Sequence, residues 1–282
     1  MSTLTLAAAL LGGLCVGSFL NVVIHRFPRM LEQRWRDDAY ALDHPDQPPP
    51  ARAPYNLAVP RSRCPHCGHG IPWYENIPVL SWLALRGRCS ACRAPISVRY
   101  PVVETVTGAL TLLIVALYGT GWAVLAMLLF TWSLIALTMI DYDTQLLPDD
   151  ITLPLLWLGL LVAIPAGGLP VADAVIGAAA GYLALWSVYW AFRLATGKEG
   201  MGYGDFKLLA AIGAWVGWQK LPLVIVLSSG VGALLGIALI LVAGRDRAHP
   251  IPFGPFLAVA GFIALLWGDA LLDGPLQLFR LG

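Results

Sequence analysis

Long apolar windows separated by short polar turns govern what this chain can fold into. Windows of about 17–25 residues, enough to cross a bilayer, fall at roughly 4–24, 102–118, 121–140, 151–166, 174–192, 221–243 and 251–268. A shorter one, roughly 206–218, follows a glycine-rich turn. Soluble domains carry about 25% charged residues; this chain has 12%, with a mean hydropathy of +0.70. The pattern predicts an all-α polytopic membrane protein with about eight transmembrane helices. The opening Met1-Ser-Thr-Leu-Thr has no basic segment and the apolar run continues to His25-Arg26, so the first window reads as a retained span rather than a cleaved signal peptide.

The net charge of +1 conceals an asymmetry. Eleven arginines, from Arg26 to Arg99, lie between the first two windows, and only seven basic residues lie elsewhere. Basic loops stay on the cytoplasmic side, which puts this loop inside and, with eight alternating spans, both termini outside. Arg193, Lys198, Lys207, Arg245 and Arg247 then also fall inside, and only Lys220 and Arg280 outside. The same topology brings two acids, Asp141 and Asp205, to cytoplasmic span ends.

Within the first span, Gly12, Gly13 and Gly17 permit close helix approach, and Asn21 and His25 share a face; together they predict a packing face with a polar end. Cys15 reads as a small buried apolar residue. Residues 29–60 turn polar and proline-rich, ending in Asp43-His-Pro-Asp-Gln-Pro-Pro-Pro50 and beyond, and read as a loop or linker. Then come Cys64-Pro-His-Cys67 and Cys89-Ser-Ala-Cys92. Two such knuckles are the signature of a four-thiolate structural zinc site. A reducing cytoplasm disfavours disulfides, while unmetallated or redox-active thiols remain the alternative. A loop with so little core would draw folding energy from the metal. Trp73 and Tyr74, with Glu75, either line a small-molecule pocket or pack the loop onto the membrane face. Glu104 opens the second span, where an acid offsets the positive helix end.

Carboxylates at a membrane are expensive and need a reason. Asp141 borders the third apolar window directly, whereas Asp143, two residues on, faces elsewhere if the helix continues. Asp149 and Asp150 suit the start of the next helix. Trp186, Tyr189 and Trp190 read as interface anchors. Glu199-Gly-Met-Gly-Tyr-Gly-Asp205 is a turn whose glycines permit positive φ and close approach. The proline-rich turn His249-Pro-Ile-Pro-Phe-Gly-Pro255 would cover the site. Two carboxylates held together share a proton, so one acts as base toward water while the other polarises a carbonyl, the division used by aspartic proteases. The bland alternatives are helix caps and a proton-coupled carrier using the same two acids.

The ordered set Gly17-Ser-Phe-Leu-Asn-Val-Val-Ile-His-Arg-Phe-Pro28, the paired knuckles, Glu75-Asn-Ile-Pro, Arg86-Gly-Arg-Cys, Ser97-Val-Arg-Tyr-Pro, Asp141 through Pro148-Asp149, Gly202-Tyr-Gly-Asp-Phe-Lys207 and Ile251-Pro-Phe-Gly-Pro255 resembles the bifunctional bacterial type IV prepilin peptidases. That resemblance implies a membrane aspartic protease that removes the basic leader of type IV prepilins and type II secretion pseudopilins after a glycine. It further implies N-methylation of the new N-terminal residue, usually phenylalanine, with S-adenosylmethionine as donor. The family's catalytic pair falls on Asp141 and Asp205, and its methyltransferase function is associated with the cysteine loop. Glu75, Asn76, Gly87 and Arg88 are the loop candidates for methyl transfer. The expected organisation is a first helix at 1–28, a cytoplasmic zinc-stapled loop domain at 29–100 with Cys64, Cys67, Cys89 and Cys92 on Zn2+, and a peptidase domain at 101–282, all in the bacterial inner membrane with no nucleic-acid partner. A presenilin-type intramembrane protease shares the Gly-x-Gly-Asp element but would not explain the cysteine loop.

Overall fold

The computed structural model describes residues 1–164, 168–243 and 252–279, almost all of the regular structure among them being helical. The chain divides into two compact units, Met1–Ala136 and Leu137–Gly282.

The first unit opens with α1 (Thr3–Asp43), capped by the Ser2 hydroxyl, which accepts from the Thr5 amide. Its 41 residues make a rod of about 62 Å, twice the roughly 30 Å of a bilayer core. The expected loop from 29 therefore begins only after Asp43. Pro28 removes one intrahelical bond, but Arg29-Met-Leu-Glu-Gln-Arg and the residues beyond it are good helix formers, and Glu32 and Arg36 pair one turn apart. Only the true proline run stops the helix.

A five-residue helix α2 (Leu80–Ala84) sits in the loop, and α3 (Arg99–Tyr118) returns along α1. A Cβ on Gly13 would lie 2.7 Å from Thr111, and one on Gly17 2.6 Å from Glu104 Cα, so these glycines set the helix separation. Gly12 instead faces open space, and Cys15 is exposed on α1 rather than buried, since the packing stripe follows 13, 17 and 21. Asn21 Nδ2 donates to the Tyr100 carbonyl at 3.1 Å, which fulfils the expected polar end. Arg26, buried, donates to the Asn56 carbonyl at 2.9 Å and lies over the Tyr55 ring, fastening the stretch after α1.

Glu104 is not in the first turn of α3, and its duty differs from the expected helix-end charge. It is buried, and its Oε2 accepts the Val79 amide at 2.7 Å. Val79 holds φ +60, a strained backbone for a β-branched residue, so Glu104 clamps α2 to the membrane helices at a point the chain would otherwise relax. Removing it leaves a donor unsatisfied: Glu104→Ala should lose about 1–3 kcal/mol of stability, read as a lowered Tm of the detergent-solubilised protein. An unchanged Tm would contradict the clamp.

Helix α4 (Trp122–Thr144) leads into the second unit, followed by α5 (Asp149–Val162), α6 (Val171–Thr196), α7 (Tyr203–Val216), α8 (Leu221–Ala243) and α9 (Gly254–Phe279). Each of the eight expected windows carries a helix. Six of these are long and apolar enough to cross a bilayer among the described residues. The other two, α5 and α7, have 14 residues each, about 21 Å, too short to span alone. Arg245, Arg247, His249, Pro250, Ile251 and Arg280 lie outside the described residues.

Helix α7 is the centre of the second unit, with α5, α6 and α9 packed around it. From Phe206 to Val216 only Lys207 is not buried, as expected of a helix apolar on nearly every side. Gly177 and Gly213 bring the α6 and α7 backbones into direct contact, and Gly159 makes room for the Trp215 indole, which donates to the Leu155 carbonyl at 2.9 Å. Tyr189 is 2% exposed, so it is a core residue rather than an interface anchor. Its ring meets Tyr203 at a tilt and Phe206 edge-on, and its hydroxyl accepts from Arg193.

Candidate active site and cysteine centre

The two acids singled out in the sequence both belong to the second unit, and both are buried, Asp141 at 5% exposure and Asp205 at 7%. Asp141 lies inside α4, which runs on to Thr144, and Asp143 is exposed, so the expected difference in facing holds. Asp205 is the third residue of α7. Its amide donates to the Gly202 carbonyl at 3.2 Å and its carboxylate takes a main-chain hydrogen bond from Gly202 in return. That reciprocal arrangement places an anion at the positive end of the helix. The Asp141 charge acts on Asp205.

A third element completes the group. The Gly254 amide, at the start of α9, donates to Asp141 Oδ2 at 3.0 Å. A Cβ at Gly254 would fall 2.5 Å from that oxygen, so only glycine lets the backbone come this close. Leu147, in the turn between α4 and α5, would touch a Cβ on either Gly254 or Gly204 and so packs both helix starts together. The glycines of the 199–205 turn do not take positive φ; Gly200 and Gly204 are needed for closeness, to Phe192 and Leu147, and left-handed backbone appears only at Gly197 where α6 ends. Asp149 and Lys207 form a two-oxygen ion pair at 2.6 and 2.8 Å that ties α5 to α7 beside the acids. The sequence does not single out Gly254, and it offers Lys207 only as a cytoplasmic charge. A lone glycine between prolines was the one signal for the former.

The cysteine centre lies in the first unit. All four sulfurs of Cys64, Cys67, Cys89 and Cys92 lie within 4.8 Å of one another, and Cys64 and Cys92 Sγ are 3.8 Å apart. Zinc–sulfur bonds of about 2.3 Å in a tetrahedron put sulfurs about 3.8 Å apart, whereas a disulfide needs about 2.05 Å. The cluster thus fits a tetrahedral metal and not a pair of disulfides. Main-chain hydrogen bonds from Cys67 and His66 pull the Cys64 thiol down to about 7, and those from Cys92 and Ala91 lower Cys89. At Cys92 a main-chain hydrogen bond from Ala94 is outweighed by burial and the neighbouring sulfurs, which push that thiol up to about 11. Cys64 and Cys89 are therefore the thiols set to ionise first.

Of the four loop residues considered for methyl transfer, two have structural duties. Glu75 Oε2 accepts from Ser90 Oγ at 2.9 Å and lies 3.9 Å from His69 Nε2, bracing one knuckle against the other. Gly87 holds φ +65, and any Cβ there would meet the Trp82 ring at 2.8 Å. Asn76 and Arg88 are exposed. Trp73 and Tyr74 are also exposed and touch chiefly each other, so they line no enclosed pocket among the described residues.

Comparison with known proteins agrees with both halves. The bacterial peptidase A24 N-terminal domain matches residues 11–118, and the type IV leader peptidase family matches residues 128–237. A protein of Aeromonas hydrophila named prepilin leader peptidase/N-methyltransferase is 61% identical over 92% of this chain and 89% of its own length. Proteins of the same name from Stutzerimonas stutzeri and Pseudomonas aeruginosa are 57% and 55% identical, over 97% and 94% of this chain and 94% and 91% of their own lengths. No solved structure matches the chain. With matches of this extent on both sides of the cysteine centre and the acid pair, the chain belongs to the type IV leader peptidase family.

Proposed function

We propose that the chain removes the leader peptide of type IV prepilins by aspartic-protease chemistry and then N-methylates the new N-terminal residue with S-adenosylmethionine. The observation that carries the first activity is the burial of Asp141 and Asp205 together, with the Gly254 amide fixed on Asp141. Two close carboxylates hold one proton between them. The ionised member takes a proton from water as that water attacks the carbonyl carbon of the leader's last glycine. The protonated member donates to the carbonyl oxygen, and return of protons to the departing amine breaks the peptide bond. Gly254 and the Gly202 capping bond hold both acids still, so little reorganisation is left for the reaction.

The reading extends to pseudopilins of type II secretion as further substrates and to a cytoplasmic active-site face in the bacterial inner membrane, on the strength of the arginine-rich segment between α1 and α3. The working division is residues 1–28 as membrane anchor, 29–100 as methyltransferase-associated domain and 101–282 as peptidase. Cys64, Cys67, Cys89 and Cys92 hold Zn2+, which staples the loop and takes no part in bond making. The methyl donor supplies an electrophilic methyl group; the exposed Asn76 is the side chain we offer it, on a frame that Glu75 and Gly87 keep rigid.

A carrier reading has no support among the relatives and leaves the cysteine centre without a duty. The two separate cleanly in nonionic micelles, where no gradient exists: the purified chain should cut a synthetic prepilin after the leader glycine, and an intact prepilin with folded enzyme would remove the proposal. Gly254→Ala should slow cleavage about a hundredfold by displacing Asp141, since misplacement of about 1 Å has that effect, while the protein remains folded. Wild-type rates from this variant would show that the amide contact is dispensable.

A further inference from the structure

The cysteine segment is a tandem repeat. Arg61-Ser-Arg-Cys64-Pro-His-Cys67-Gly68 is echoed by Arg86-Gly-Arg-Cys89-Ser-Ala-Cys92-Arg93, and Ile71 by Ile96. The backbone repeats too: the Cys64 amide donates to His69 and Gly68 donates to Cys64, as Cys89 does to Ala94 and Arg93 to Cys89. Both turns close on a left-handed residue, φ +73 at Gly68 and +62 at Arg93. The first repeat fills that position with glycine, the residue suited to it; the second fills it with arginine against steric preference. Arg86 is also left-handed, at φ +51.

These irregular positions converge. Arg86, Arg88 and Arg93, with Leu85, line a single cleft of about 280 Å³. Among the described residues no acidic side chain pairs with any of the three. Guanidinium groups gathered without a counter-charge attract an anion, and their planar forks match phosphate oxygens two at a time. The volume, at the low end of the roughly 300–1,000 Å³ of sites for drug-sized molecules, is ample for a phosphate group. S-adenosylmethionine, with a net positive charge, is a poor occupant of a cleft walled by three cations. We propose that this cleft is a binding site for a phosphate group, presented either by an anionic phospholipid headgroup or by a soluble phosphate. The proposal does not rest on the methyl-transfer reading.

The repeat itself supplies the test variants. Arg93→Gly copies Gly68 and Arg86→Gly suits its own φ, so each removes a guanidinium while easing the backbone, and unchanged zinc content would certify the fold. Inorganic phosphate titrated against full-length protein in nonionic detergent should raise the Tm of wild type and bind each variant about tenfold or more weakly, the loss expected for one charge-assisted contact. If free phosphate has no effect but phosphatidylglycerol nanodiscs raise the wild-type Tm above that in phosphatidylcholine, and do so less for both variants, the headgroup is the source. Equal responses of wild type and both variants to both probes would overturn the site. So would a loss of S-adenosylmethionine affinity in Arg93→Gly with phosphate and lipid responses unchanged, since the cleft would then serve the donor.

Discussion

Asp141→Asn and Asp205→Asn should each slow leader removal by about a thousandfold or more, within the range for losing one general acid or base. Both acids are buried in the second unit, and the Asp141 charge reaches Asp205. Asparagine is close to isosteric and can still accept the Gly254 amide through its carbonyl oxygen, so the effect should fall on chemistry rather than folding. The shared proton disappears in either variant, and with it the base or the acid. Methylation of a prepilin supplied already cut should persist in both, because the cysteine segment lies wholly in the first unit. Thermal unfolding alongside the cleavage assay separates a dead enzyme from an unfolded one. Cleavage within tenfold of wild type by a folded variant would remove that acid from the reaction.

Loss of the metal should give the opposite pattern. Four cysteine sulfurs at tetrahedral spacing predict one zinc per chain by elemental analysis. Structural zinc supplies roughly 10–16 kcal/mol to small domains at neutral pH, more than the loop's one five-residue helix and a short 3₁₀ turn can replace. Cys64→Ser or Cys89→Ser should therefore abolish zinc binding, expose residues 60–98 to protease and reduce methyl transfer to background, with cleavage retained at a substantial fraction of wild type. Normal methylation by zinc-free protein would refute the staple; loss of cleavage alone would reverse the proposed division of labour.

The sequence reveals features set by local composition and hides those set by contacts between distant residues. The eight apolar helices are legible from hydropathy but not their lengths: six are long enough to span among the described residues, and α5 and α7 fall short of the eight expected spans. Asp141 and Asp205 stand out by the expense of acids beside apolar runs. The four cysteines were legible because metal spacing is a short-range code. Helix α1 runs past its expected end because residues 29–43 hold enough helix formers to continue it through Pro28, and only the proline run at 45–50 stops it. Gly254 was hidden for another reason: its role depends on an amide meeting a carboxylate 113 positions away, which no local pattern encodes. Glu104 and Tyr189 were misread by general preferences, helix-end charge and interface aromatics, which specific burial overrode. The glycines before Asp205 were rightly suspected but for a wrong cause, closeness to Leu147 and Phe192 in place of left-handed backbone.

The most direct test of the central claim is one intact-mass spectrum of a synthetic prepilin after incubation with the detergent-purified chain and S-adenosylmethionine. The account predicts a product that has lost its leader after the glycine and gained a single methyl group at the new N-terminus. Prepilin that keeps its leader, in the presence of folded and zinc-loaded protein, would contradict it.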